Sequence, residues 1–138
     1  MAFVLDASLT LAWHFEDEGR DSVETLADRA LIEGVVVPHH WFLEVSSGLV
    51  RGERRRRTSP ELTFDFLARL ASLPVEVDVI DPTKVTSVLI PLARKYRLSV
   101  YDAAYLELAG RRSLPLTTLD SSLAAAARAV EVELLAGE

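Results

Sequence analysis

Short β-rich runs alternate along this chain with longer stretches of helical period, and that alternation narrows the fold more than any other feature. AFVL (2–5), VVV (35–37), VEVDVI (75–80), LPLTT (114–118) and VEVELL (130–135) read as strands. Between them the spacing predicts helices over 7–15, 20–33, 39–56, 60–72, 83–96, 102–111 and 121–129. Pro60 and Pro82 fall in first helical turns, where the missing N–H is no loss, and Pro38 and Pro74 lie at element boundaries. Repeated strand–helix–strand units require right-handed crossovers. The expected fold is therefore a three-layer α/β/α sandwich around a mostly parallel five-stranded sheet. In such a sheet ligands sit beyond the carboxyl ends of the strands, where the strand order reverses.

The chain has 138 residues, no internal repeat and no long linker, which predicts a single domain over 1–138. A hydrophobic fraction of 49% excludes a disordered chain. No apolar run approaches the roughly 18 residues that span a bilayer, so no membrane role is expected. MAFVLD reaches a carboxylate at position 6 with no basic region before it, unlike a secretory leader. The lack of cysteine removes disulfides, thiolate nucleophiles and Cys-based zinc sites, and a cytoplasmic setting is expected. A net charge of −6 argues against a surface that binds nucleic acid everywhere, but leaves a local basic patch open.

Three aspartates stand at element junctions. Asp6 ends the first strand in FVLDASLTLAW, Asp102 follows Ser99 by three in SVYDAAYLELA, and Asp120 opens the helix of TTLDSSLAAAA. Each has an ordinary reading as a helix cap or first-turn acid. Each has a second reading as a ligand at the sheet edge. Glu44 is not a cap, because it lies inside the helix of PHHWFLEVSSGLV, at the margin of an expected core stripe of Trp41, Phe42, Val45 and Leu49. Gly48, one turn on, costs about 1 kcal/mol relative to Ala in a helix and so marks close packing or ligand approach. If the first and fourth strands are neighbours, Asp6 and Asp120 face each other across the reversal. Bare carboxylates so close repel, and a divalent cation removes the objection. Hard oxygen donors with no Cys and few His select Mg²⁺ or Mn²⁺ over zinc.

VLDAS, VPHHWFLEVSSGL, YDAAYLELA and LPLTTLDSSLAAAA, in that order across essentially the whole chain, resemble a PIN-domain ribonuclease of the VapC-type toxin group. The Y-D-A-x-Y-L-x-L-A and T-x-D segments are the most specific. The resemblance implies a Mg²⁺- or Mn²⁺-dependent endoribonuclease in which Asp6, Glu44, Asp102 and Asp120 hold the metal and cleave RNA. Asp6 and Asp102 are then the first-choice ligands, with Ser8 and Thr118 as the polar residues flanking the site. It also implies a protein antitoxin whose peptide occupies the site, and a homodimer. Two positions depart from the pattern. Ser47 stands where the family commonly has Asn, which touches a supporting or substrate contact, and Glu131 stands where Gly is favoured after the last helix.

Five arginines crowd RGERRRR (51–57). They read either as a solvated helix end or, at Arg54, Arg55, Arg56 and Arg57, as contacts to RNA phosphates. His14, His39 and His40 are weak candidates for a general base, since adjacent histidines on a helix point about 100° apart. Trp13, Phe15, Tyr101 and Tyr105 read as core rather than as a stacking platform. No Gly-rich phosphate loop or Gly-x-Ser-x-Gly elbow is present. LDAS lacks the second aspartate of an aspartyl-phosphate enzyme, and Asp81, followed by Pro82, makes a poor receiver acceptor. The alternatives are a Mg²⁺-dependent phosphatase of small phosphate esters and a non-catalytic protein-binding module.

Overall fold

The computed structural model describes residues 1–15 and 21–136. In chain order the elements are β1 (Phe3–Leu5), α1 (Ala7–Ala12), α2 (Asp21–Glu33), β2 (Val35–Pro38), α3 (Trp41–Arg54), α4 (Pro60–Leu70) and β3 (Val75–Asp78). They continue with α5 (Pro82–Lys84), a π-helical stretch (Val85–Leu89), α6 (Ile90–Tyr96), α7 (Val100–Arg112), β4 (Leu116–Thr117), α8 (Ser121–Ala129) and β5 (Leu134–Ala136).

All neighbouring strands pair in parallel, in the order β3-β2-β1-β4-β5. The chain thus builds outward from β1 to β3, then crosses back to lay β4 on the other side of β1. The strand order reverses between β1 and β4, with Val4 opposite Leu116 and Leu5 opposite Thr117. Successive strand residues point to opposite faces. Phe3, Val4 and Leu5 are nonetheless all inaccessible, and Val35, Val36 and Val37 nearly so, which means that helices cover the sheet on both sides. The expected α/β fold is observed.

Element ends depart from the sequence pattern for local reasons. β3 stops at Asp78 because its partner β2 stops at Pro38, and the Ile80 N–H turns instead to His39 Nδ1. The expected helix over 83–96 is broken into α5, a π stretch and α6. Pro91 lacks the N–H that would bond back into that stretch, and its ring crowds the preceding turn. On α3, Trp41, Val45 and Leu49 are buried as expected, but Phe42 is 45% exposed, one helical step off their stripe. Tyr101 likewise lies on the surface, whereas Tyr105 is buried.

The run over 130–135 delays its strand because its first residues finish α8. The N–H of Val132 bonds to the carbonyl of Ala127 and that of Glu131 to Arg128, a Schellman closure. It places Glu131 at φ 60°, the conformation for which glycine is the usual choice. Glu131→Gly is therefore expected to stabilise the protein by about 0.5–1 kcal/mol, read from the midpoint of urea denaturation. An unchanged or lower midpoint would show that the left-handed turn carries no strain.

Candidate active site

The site grows from the seam between β1 and β4. Asp6 leaves β1 extended and caps α1, its Oδ1 accepting the Leu9 N–H at 2.9 Å. Ser8 Oγ donates to both carboxylate oxygens at 2.8 and 2.9 Å, and Thr118 Oγ1, from the end of β4, donates to Oδ2. The same two hydroxyls accept the backbone N–H groups of Leu119 and Asp120, each at 3.0 Å. Ser8 and Thr118 therefore lace the two strand ends together around one carboxylate.

Asp120 caps α8, with Oδ1 accepting the Leu123 N–H at 2.9 Å. Asp102 lies in the first turn of α7, where its own N–H bonds to Ser99 Oγ, the cap, at 3.0 Å. Glu44 comes from α3 and is held from outside its helix. Tyr105 Oη donates to Oε1 at 2.7 Å, and His40 Nε2 lies 3.1 Å from the same oxygen without hydrogen-bond geometry. Asp6, Glu44, Asp102 and Asp120 line one cleft of about 290 Å³, together with Ser8, Ser99, Tyr105 and Arg51 among others. Asp6 and Asp120 are thus caps and cleft residues at once. Capping spends one carboxylate oxygen and fixes where the other lies.

The charges feel one another. Burial holds the Asp6 carboxyl up at about 7, against the lowering effect of its bonds from Thr118, Leu9 and Ser8, and the Asp102 charge raises it further. Asp102 is pushed up to about 6 by burial, then by the charges of Asp120 and Glu44. Burial and the adjacent Glu44 also push the Tyr105 hydroxyl upward, so it remains a donor. Among the described residues no three His, Cys, Asp or Glu side chains close tightly around one point. An open cleft of repelling hard oxygens suits a cation that keeps much of its water and binds through one or two carboxylates, as Mg²⁺ does. The donor set fits such an ion.

Ser47 is exposed and outside the cleft, because it lies three residues past Glu44 on the solvent side of α3. Arg55 and Arg57 line an adjoining pocket, which Arg54 and Arg56 do not reach. His14 pairs with Thr58, and His39 with the Ile80 N–H, both away from the carboxylates. Two residues of the site have a part that the sequence reading did not give them: the Tyr105 hydroxyl, read as core, and His40, read only as a weak general base. Both carried a signal in their spacing: Tyr105 is one turn after Asp102 on α7, and His40, just before α3, is one turn before Glu44.

A parallel sheet with an acidic cleft at its strand-order reversal defines a class of α/β protein built to bind at that edge. The chain belongs to the PIN domain family, whose model matches residues 3–129. PIN domains are typically metal-dependent nucleases. Among solved structures, the chain is similar to PAE2754 from Pyrobaculum aerophilum, with TM-score 0.69 and 22% identity over 91% of this chain and 79% of that one. It is also similar to a chain of a toxin–antitoxin complex from Klebsiella pneumoniae, with TM-score 0.54 and 14% identity over 87% and 88% of the two chains. At those identities the likeness is one of fold. No curated protein matches it significantly by sequence.

Proposed function

We propose that this chain is a Mg²⁺- or Mn²⁺-dependent endoribonuclease, and the toxin of a toxin–antitoxin pair acting in the cytoplasm. The observation that carries this reading is the meeting of four carboxylates from four separate segments in one cleft at the sheet edge. Asp6 and Asp102 are the first-choice ligands; Glu44 and Asp120 complete the set or orient water. A bound divalent cation supplies Lewis acidity, lowering the pKa of water and offsetting the charge that builds on the phosphate.

The chain's own residues supply orientation. The donors from Ser8, Leu9 and Thr118 fix Asp6 and favour its ionised form. Tyr105 fixes the position of Glu44 through its hydroxyl. Asp120 has one oxygen committed to its cap, and its other oxygen can accept a proton from the attacking water. In-line attack then leaves a 5′-phosphate and a 3′-hydroxyl. The likeness in fold to a chain of the Klebsiella complex supports an antitoxin partner. The apolar side chains that α3 exposes, Phe42, Leu43 and Val50, offer area for that partner or for a second copy.

Incubation of the purified protein with total RNA and Mn²⁺, followed by mapping of the new ends, tests the reading. New 5′-phosphate ends that a chelator abolishes are expected. Hydrolysis of small phosphate esters with intact RNA would replace it with the phosphatase. A separate expectation concerns Tyr105→Phe. Loss of the hydroxyl frees Glu44, and Mn²⁺ affinity should fall about 10–100-fold with the fold retained, as followed by titration calorimetry. Unchanged affinity would remove Glu44 from the ligand set.

A further inference from the structure

Helix α3 carries a second row of charged chemistry beyond Glu44. At about 100° per residue, Arg51 and Arg55, seven and eleven positions on, return to within about 20° of the Glu44 direction, whereas Arg54 is turned about 80° away. The structure follows that spacing. Arg51 lines the carboxylate cleft and also, with Arg55 and Arg57, an adjoining pocket of about 130 Å³. Leu11, Gly48 and Arg51 border both, so the two cavities adjoin, with Arg51 common to them. Two glycines let their walls approach closely. A Cβ on Gly48 would stand 2.4 Å from Leu11 Cδ1, and one on Gly52 would stand 2.5 Å from Phe15 Cζ. The Arg57 guanidinium lies over the Phe15 ring, 4.5 Å from its centroid, which orients it at the adjoining pocket. Arg51 and Arg55 are exposed and make no ion pair with a carboxylate among the described residues.

This arrangement is more than a basic helix end. On a chain of net charge −6, three guanidinium groups line one pocket that adjoins the acidic cleft. A polyanion whose reacting phosphate lies at the carboxylates needs positive charge for the phosphates that follow. The guanidinium fork matches a phosphate better than an ammonium does. We infer that Arg51, Arg55 and Arg57 form a phosphate track that binds the backbone of single-stranded nucleic acid leaving the carboxylate cleft. The inference rests on the nuclease reading and adds to it where the substrate strand runs.

The test is the salt dependence of binding. A fluorescein-labelled oligouridylate is titrated by anisotropy in Ca²⁺, and cleavage is followed separately in Mn²⁺. Each phosphate contact to a single strand contributes a slope of about 0.7 in log K against log salt, so the Arg51→Ala, Arg55→Ala variant should lose about 1.4 of the wild-type slope. Arg54→Ala, Arg56→Ala should keep it, and Arg51→Lys, Arg55→Lys should largely restore it. An unchanged slope in the Arg51, Arg55 alanine variant, with a wild type that binds and cuts, overturns the track alone. Equal slope loss in the Arg54, Arg56 variant also overturns it. So does an unchanged slope combined with lost inhibition by polyglutamate, which would make the pocket a site for acidic peptide. A wild type that neither binds nor cuts overturns the nuclease reading itself.

Discussion

Asp6→Asn and Asp102→Asn are each expected to lower RNA cleavage by roughly 10³-fold or more while the protein stays folded. The amide removes charge and almost no volume. At Asp6 it also keeps the cap, since asparagine oxygen accepts the Leu9 N–H as aspartate does. Without cation the variants should melt higher than the parent, because burial and mutual repulsion penalise the charges they lose. Asp6→Ala should behave differently. It strips the cap, worth about 1 kcal/mol, and leaves the donors of Ser8, Leu9 and Thr118 without their acceptor. Single-turnover cleavage and thermal melts on the same preparations separate these effects. Cleavage retained in both amide variants would defeat the assignment.

The second large effect couples stability to pH and to cation. Asp6 titrates near 7 in the folded chain and at the ordinary 3.8 when unfolded. Between those values the folded state holds the extra proton, so raising the pH favours unfolding. The stability of the cation-free protein should fall from about pH 4 to about pH 7, and the Asp6 contribution to that fall is on the order of 3–4 kcal/mol. Asp102, raised to about 6, acts in the same direction with less weight, being partly open to solvent. Carboxylates held below their usual range act with the opposite sign at lower pH: Glu33 through the terminal ammonium, Glu76 through Arg112 and Asp81 through the Thr83 N–H. Comparison with Asp6→Asn isolates the Asp6 contribution. At pH 7, Mg²⁺ at a hundred times its Kd should return about 2.7 kcal/mol, and this gain should vanish near pH 4. Urea melts across pH, with and without Mg²⁺, measure both. Equal Mg²⁺ stabilisation of an Asp6→Asn, Asp102→Asn double variant would place the cation elsewhere.

The sheet was legible because β1 and β2 are short, wholly apolar runs of the kind a doubly covered parallel strand requires. Strand ends were less so, since the end of β3 depends on where β2 stops and the start of β5 on how α8 closes. The three aspartates stood out because junctions are few and each combines a strand end or cap with a carboxylate. Tyr105 was taken for core because its ring is buried on α7, and His40 was weighed only as a general base, not as a neighbour of Glu44. The approach of α7 to α3 is what brings the Tyr105 hydroxyl to Glu44, whereas His40 reaches it from one turn earlier in the same segment. The arginine run shows the converse. Its composition pointed to four consecutive residues, whereas helical geometry singles out Arg51 and Arg55, with Arg57 held by Phe15.

The union of cap and cleft residue at Asp6 and Asp120 has an evolutionary consequence. Aspartate and asparagine codons differ by one base, and asparagine serves equally well as a helix cap. A single transition at either position would remove a charge from the cleft while leaving the helix start, the β1–β4 seam and the outer surfaces in place. The acidity of the cleft can therefore be lost without passing through an unfolded ancestor. Within this architecture, a folded chain with a less acidic cleft lies one mutational step away.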